Sequence, residues 1–182
     1  MRRKLNAGLL VLAIIVLLLS SITKRSSAAV TTMTLADFPV SWQRTWYHYD
    51  DNGAYDTVTF KTHQFRAVER QSGTTYQHRL QVHQRVLGLN PSQLVRHPTW
   101  AVARQRVMSG VNWLNVRSWN QLLGTGWDFK VSQQRLMGQS VTILSQTSSC
   151  GTWAYEHYFT SQQLARRYHD MHFPGEVYGT SY

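Results

Sequence analysis

Thr75–Val86, TYQHRLQVHQRV, sets Tyr76, His78, Leu80, Val82 and Val86 in alternation with Thr75, Gln77, Arg79, Gln81, His83 and Arg85. An extended chain turns successive side chains to opposite faces, so this stretch predicts a long strand with one largely apolar face on a core and one polar face in water. Shorter stretches of the same period flank it: Trp42–Tyr49, Asp56–Thr62, Gln64–Glu69, Trp100–Met108, Val111–Arg117, Trp127–Val131, Val141–Gln146 and Trp153–Phe159. They are divided by the turn signals DDNG, RQSG, MSG and LMGQ. Short strands at even spacing predict a mainly β fold, a single antiparallel β-barrel or strongly curved sheet of about eight strands. A two-sheet sandwich has the same period and stays open as the alternative.

One C-terminal helix is expected beside the strands. Thr160 and Gln163 have capping-box spacing, Leu164, Tyr168 and Met171 fall on one helical face, and Pro174 ends the pattern. A shorter helical turn is expected over Asn90–Val95, which opens on Asn-Pro-Ser. No repeat or low-complexity tract divides the chain, so residues 39–182 read as one β domain and residues 30–38 as a tether before it.

Residues 1–29 belong to a different class. Arg2, Arg3 and Lys4 precede an apolar run from Ala7 to Leu19, and SSITKRSSAA follows, ending in small residues. That is the layout of an export signal, with the N-terminus inside and the rest outside. The apolar span Leu5–Ile22 has eighteen residues, roughly 27 Å as helix and enough to anchor in a bilayer. Ser27-Ala28-Ala29 offers a cleavage site, so a removed signal peptide and a retained membrane anchor are both open. The domain is expected outside the cell, free or held at the outer face of the cytoplasmic membrane.

The formal net charge is +10, and five of those charges stand in the leader, leaving +5 for residues 30–182. Single, scattered arginines lack the dense stripe that nucleic acid demands, so no nucleic-acid partner is expected. Cys150 is the only cysteine, which excludes an internal disulfide and leaves the fold to its core. Aromatic rings concentrate in SWQRTWYHYDDNG (Ser41–Gly53) and CGTWAYEHYF (Cys150–Phe159), the first and last predicted strands. If the sheet closes, these two are neighbours.

Two resemblances bear on this pattern. RTWYHYD, a barrel-like strand count and a single C-terminal helix resemble the lipocalin or calycin layout, with Arg44 standing where that motif carries glycine. TWYHYD, WLNVRSWNQLLGTGW (Trp113–Trp127) and CGTWAYEHYFTSQQLARRY, in that order, resemble small exported proteins of lactobacilli of unknown function. The second resemblance implies a Gram-positive surface or secreted address and carries no catalytic residues. A layout resemblance to sortases would make Cys150 a nucleophile served by His97 and by Arg166 or Arg167. However, Thr147-Ser148-Ser149-Cys150 departs from the sortase Thr-Leu-x-Thr-Cys strand, and both arginines fall on the predicted helix.

No catalytic residue, metal or cofactor is expected. The eight histidines lack a recognised zinc spacing, and among the nine acids Asp50, Asp51 and Asp56 crowd one turn region. Gly124-Thr125-Gly126 reads as a loop. The function expected is a non-enzymatic binding module. A small apolar ligand would call on Trp46, Tyr49, Trp153 and Tyr155 inside the barrel, and a cell-surface glycan on Trp119, Gln121 and Trp127 at a rim with Arg117. A structural envelope protein without a ligand is the alternative.

Overall fold

The structure, a computed structural model, describes residues 34–86, 90–121, 126–147 and 153–178. The leader, Cys150 and the side chain of Tyr155 lie outside the described residues. Among the described residues, no helix is long and apolar enough to cross a membrane.

Nine strands follow one another around a barrel: β1 (Thr45–Tyr49), β2 (Tyr55–Phe60), β3 (Gln64–Gln71), β4 (Thr74–Val82), β5 (Trp100–Met108), β6 (Val111–Ser118), β7 (Trp127–Leu136), β8 (Gln139–Thr147) and β9 (Trp153–Phe159). β9 returns to β1 with Tyr47 opposite Phe159, and the two aromatic stretches of the sequence form this closing seam. A tenth strand, β10 (Val177–Tyr178), runs parallel to the start of β9.

One seam departs from the antiparallel expectation. β4 and β5 are parallel, with Gln81 opposite Trp100 and Val82 opposite Ala101. Every antiparallel neighbour reverses direction, so a closed barrel needs an even number of antiparallel seams. With nine strands, the single parallel pair leaves eight antiparallel seams and lets the sheet close. The long connection over residues 83–99 is what a parallel pair requires.

Three hairpins turn on Ser72-Gly73, Ser109-Gly110 and Met137-Gly138, each pair with φ between 48° and 82°. Two successive positive φ values define the type I′ turn, whose twist matches that of the flanking strands.

Inside the barrel the rings of Phe38, Trp42, Phe65 and Phe129 surround Phe60 at centroid distances of 5.0–5.6 Å. Trp46, Val58, Ala67, Leu80, Ala103, Val116, Leu144 and Tyr158 complete this cluster. A second cluster lies on the outer face, where Ile143 and Phe159 are covered by Ala165, Tyr168 and Phe173. The barrel therefore has an apolar plug within and an apolar patch outside, capped by the C-terminal helix α1 (Gln162–Tyr168).

Three expectations need correction. Thr34–Phe38, assigned to the tether, is part of the domain: the Leu35 and Phe38 amides donate to Ala103 and Thr62 carbonyls, and Phe38 is buried in the plug. The helix is capped by Ser161, whose Oγ accepts from the Leu164 amide, so the cap sits one residue beyond Thr160 and Met171 falls outside the helix, exposed. The strand Thr75–Val86 ends at Val82, and Tyr76 and Val86 are about half exposed. β5 meets β4 only at Gln81 and Val82, so among the described residues the first half of β4 pairs with β3 alone.

Candidate functional site

The plug stops partway along the barrel, and the next inward position on five strands is polar. Trp46 is followed by His48 on β1, Val58 is preceded by Asp56 on β2, and Ala67 is followed by Glu69 on β3. Leu144 is likewise followed by Gln146 on β8, and Tyr158 is preceded by Glu156 on β9. Register makes this a layer: His48 stands opposite Asp56, and Gln146 opposite Glu156. These five side chains, with Arg70, line a cavity of about 310 Å³ at the mouth.

Each group is held. The Arg70 amide donates to Asp56 Oδ1 at 2.8 Å, and Tyr158 donates to Glu156 Oε2 from the buried side of the layer. His48 Nδ1 lies 3.0 Å from the His157 carbonyl, which can only accept, so Nδ1 carries the proton and bridges the β1–β9 seam. Burial raises the Glu156 carboxyl above its ordinary range, against the pull of His48 and of the Tyr158 hydrogen bond, and Asp56 and Glu69 raise it further. Burial also raises Asp56, against the Arg70 amide and His48. The mouth is therefore polar, with more carboxyl groups than cations.

Outside the mouth, a cavity of about 540 Å³ shares His48 and Glu156 and continues to His169, Asp170 and Tyr178 after the helix. Here the ligand atoms of Asp51, His169 and Asp170 lie within 4.8 Å of one another. His169 Nδ1 is 2.7 Å from Asp170 Oδ1, and the group is largely exposed. Sequence spacing did not bring Asp51 to these two.

Ser145, His157 and Glu176 also meet, on the outer face. The Phe173 amide donates to the Tyr178 hydroxyl, which leaves that hydroxyl's proton for His157 Nε2 at 2.9 Å. His157 Nδ1 then donates to Ser145 Oγ at 3.2 Å, Ser145 donates to Glu176 at 2.9 Å, and Lys130 donates to the other Glu176 oxygen at 2.8 Å. In a nucleophilic triad the histidine stands between hydroxyl and carboxylate and accepts the hydroxyl proton. Here the serine stands between them and gives its proton to the carboxylate, so the chain of bonds fastens the C-terminal tail to β7, β8 and β9.

The expected ligand residues do not form one site. Trp46 is fully buried in the plug, with Nε1 donating to the Trp42 carbonyl. Trp127 packs on Phe65 and His78 at the edge of the same cluster. Tyr49 faces outward, against Tyr55 and His169, and Trp153 is exposed. Trp119 and Gln121 share one region, where their carbonyls accept from Arg85 and Arg117. His97 stacks on Trp100 at 3.7 Å, while Arg166 and Arg167 are exposed on α1. The mouth residues were missed because strand register selects them; counting inward in steps of two from each core residue is the signal that finds them.

Compared with protein-family models, curated proteins and solved structures, the chain matches none.

Proposed function

We propose that this is an extracytoplasmic, non-enzymatic binding module of a Gram-positive cell surface, and that the barrel mouth holds a polar, hydroxyl-rich ligand such as a surface glycan. The observation that carries this reading is the polar layer of His48, Asp56, Glu69, Gln146 and Glu156 around an open cavity, directly above a plug of packed rings. A small apolar ligand finds Trp46 already enclosed by protein and the remaining space lined by charges, which it would have to desolvate. Sugar hydroxyls both donate and accept, and carboxylates, an amide and an imidazole converging on one cavity suit them. The export leader and the resemblance to small exported lactobacillal proteins support the address.

Titration of the full chain with soluble wall glycans and with fatty acids, followed by calorimetry, tests the reading. Saturable glycan binding that Glu69→Gln weakens about tenfold is expected, the scale of a hydrogen bond to a charged group. Binding of fatty acids alone would revive the apolar-ligand reading, and binding of neither would favour a structural envelope protein.

One observation favours a second reading. A carboxyl whose pKa burial raises, Glu156, beside Asp56 and Glu69 is the kind of arrangement glycoside hydrolysis uses. Cleavage of the bound glycan by the wild type and its loss in Glu156→Gln, with binding kept, would establish that reading.

A further inference from the structure

Between Glu69 and Asp128 the chain carries no acid, while Arg70, Arg79, Arg85, Arg96, Arg104, Arg106 and Arg117 all fall in that interval. The barrel gathers three of them. Ala101, Ala103, Leu114 and Val116 point into the plug, so Arg104 on β5 and Arg117 on β6 point out. Arg104 faces Asn115 across the seam and Val102 faces Arg117, which makes the two arginines diagonal neighbours on one face, about 7–8 Å apart at the backbone. Arg85 arrives from the connection after β4. It donates to the Trp119 carbonyl at 2.8 Å and lays its guanidinium over the Trp119 ring at 5.3 Å.

Among the described residues one carboxylate faces these charges: Asp128, fully buried, pairs with Arg106 at 3.0 Å and also attracts Arg104, so it is outnumbered by Arg85, Arg104, Arg106 and Arg117. The Nε atoms of Arg85, Arg104 and Arg117 are buried without a hydrogen-bond partner among the described residues, and so are Trp119 Nε1 and His83 Nε2. Burial and mutual repulsion lower Arg85, through Arg117 and Arg104, and lower Arg117, through Arg104 and Arg106. Beside them an aromatic wall is already built. Trp100 is sandwiched between His83 and His97 at 3.7 Å on each side, with Trp119 edge-on at 5.1 Å. Desolvated donors of one sign, converging with their neighbours fixed, form a cradle for an oxyanion, because guanidinium forks match the oxygens of phosphate and the surrounding burial strengthens each bond.

We infer that Arg85, Arg104 and Arg117, with Trp119 at their side, form an anion site on the outer wall of the barrel that takes a phosphate group. This site is separate from the mouth and does not depend on what the mouth binds. The phosphate belongs either to a soluble phosphate ester or to a lipid headgroup, and one chemistry serves both.

The test uses the full chain with inorganic phosphate, against chloride at equal ionic strength, read by tryptophan fluorescence and by melting temperature. Saturable quenching or enhancement and a phosphate-dependent rise in melting temperature are expected. Arg104→Gln should weaken phosphate binding about tenfold, since a charge-assisted bond is lost. Arg117→Gln provides a second variant should the first misfold, and Glu69→Gln at the mouth should bind phosphate as wild type does. Phosphatidylcholine vesicles with and without phosphatidylglycerol separate the sources: capture on the anionic vesicles, reversed by phosphate, assigns a headgroup, and phosphate binding without capture assigns a soluble ester. No saturable phosphate response, or one unchanged in both arginine variants, overturns the site.

Discussion

At the scale of single residues, the clearest constraint is Gly126, which stands at φ 81° just before β7. A Cβ there would lie 2.2 Å from the Val116 carbonyl oxygen and 2.6 Å from Arg117 Cγ, contacts that strand pairing does not let relax. Gly126→Ala is expected to cost about 2 kcal/mol or more, combining a left-handed backbone with a backbone clash, and thermal melting measures it. His157 sets a pH dependence. Burial pushes its imidazole down from 6.5 to about 4, with Glu176 opposing. Above pH 6.5 both folded and unfolded chains hold it neutral. As pH falls from 6.5 towards about 4 the unfolded chain gains a proton that the folded chain refuses, and stability is lost. The loss from this group is about 3 kcal/mol. Urea midpoints at pH 7 and pH 4.5 should therefore differ more for the wild type than for His157→Gln.

At the scale of elements, the barrel is held shut by unequal seams. β7 and β8 pair over nine positions, whereas β1 and β9 pair at Tyr47 opposite Phe159, supported by the His48 bond to the His157 carbonyl. The outer apolar cluster compensates for this thin seam: α1 and the tail residue Phe173 cover Ile143 and Phe159 beside it. The tail in turn depends on Glu176, which is almost fully buried and holds both Lys130 and Ser145. Glu176→Gln should leave the Lys130 ammonium without its counter-charge beneath the tail. The expected loss is about 3 kcal/mol, as for other buried pairs broken on one side, with faster amide exchange in β9 and β10 before the rest of the barrel. Uniform exchange across all strands would show that the tail does not guard the seam.

At the scale of the whole molecule, closure depends on direction. If residues 83–99 were replaced by a two-residue hairpin turn, β5 would run antiparallel to β4, and the nine strands could no longer close with compatible directions. Oligomers by size exclusion, from the exposed strand edges, are the expected outcome; a cooperative monomer would show that the parallel seam is dispensable. By itself the sequence determined the strands, because side-chain alternation is local: TYQHRLQV, the X-Gly turns and the aromatic ends are readable without knowing any partner. It also determined that the first and last strands would meet if the sheet closed. It did not determine strand direction at β4–β5, since period two is the same in parallel and antiparallel pairs. Nor did it select Glu156 with Asp56, or Arg85 with Arg104 and Arg117, because their proximity is created by register and closure across more than thirty residues of chain, from Arg85 to Arg117. Only the tertiary structure turned scattered carboxyl groups into a polar mouth and scattered arginines into a desolvated cradle, since burial, which gives those groups their chemistry, exists only after the barrel has closed.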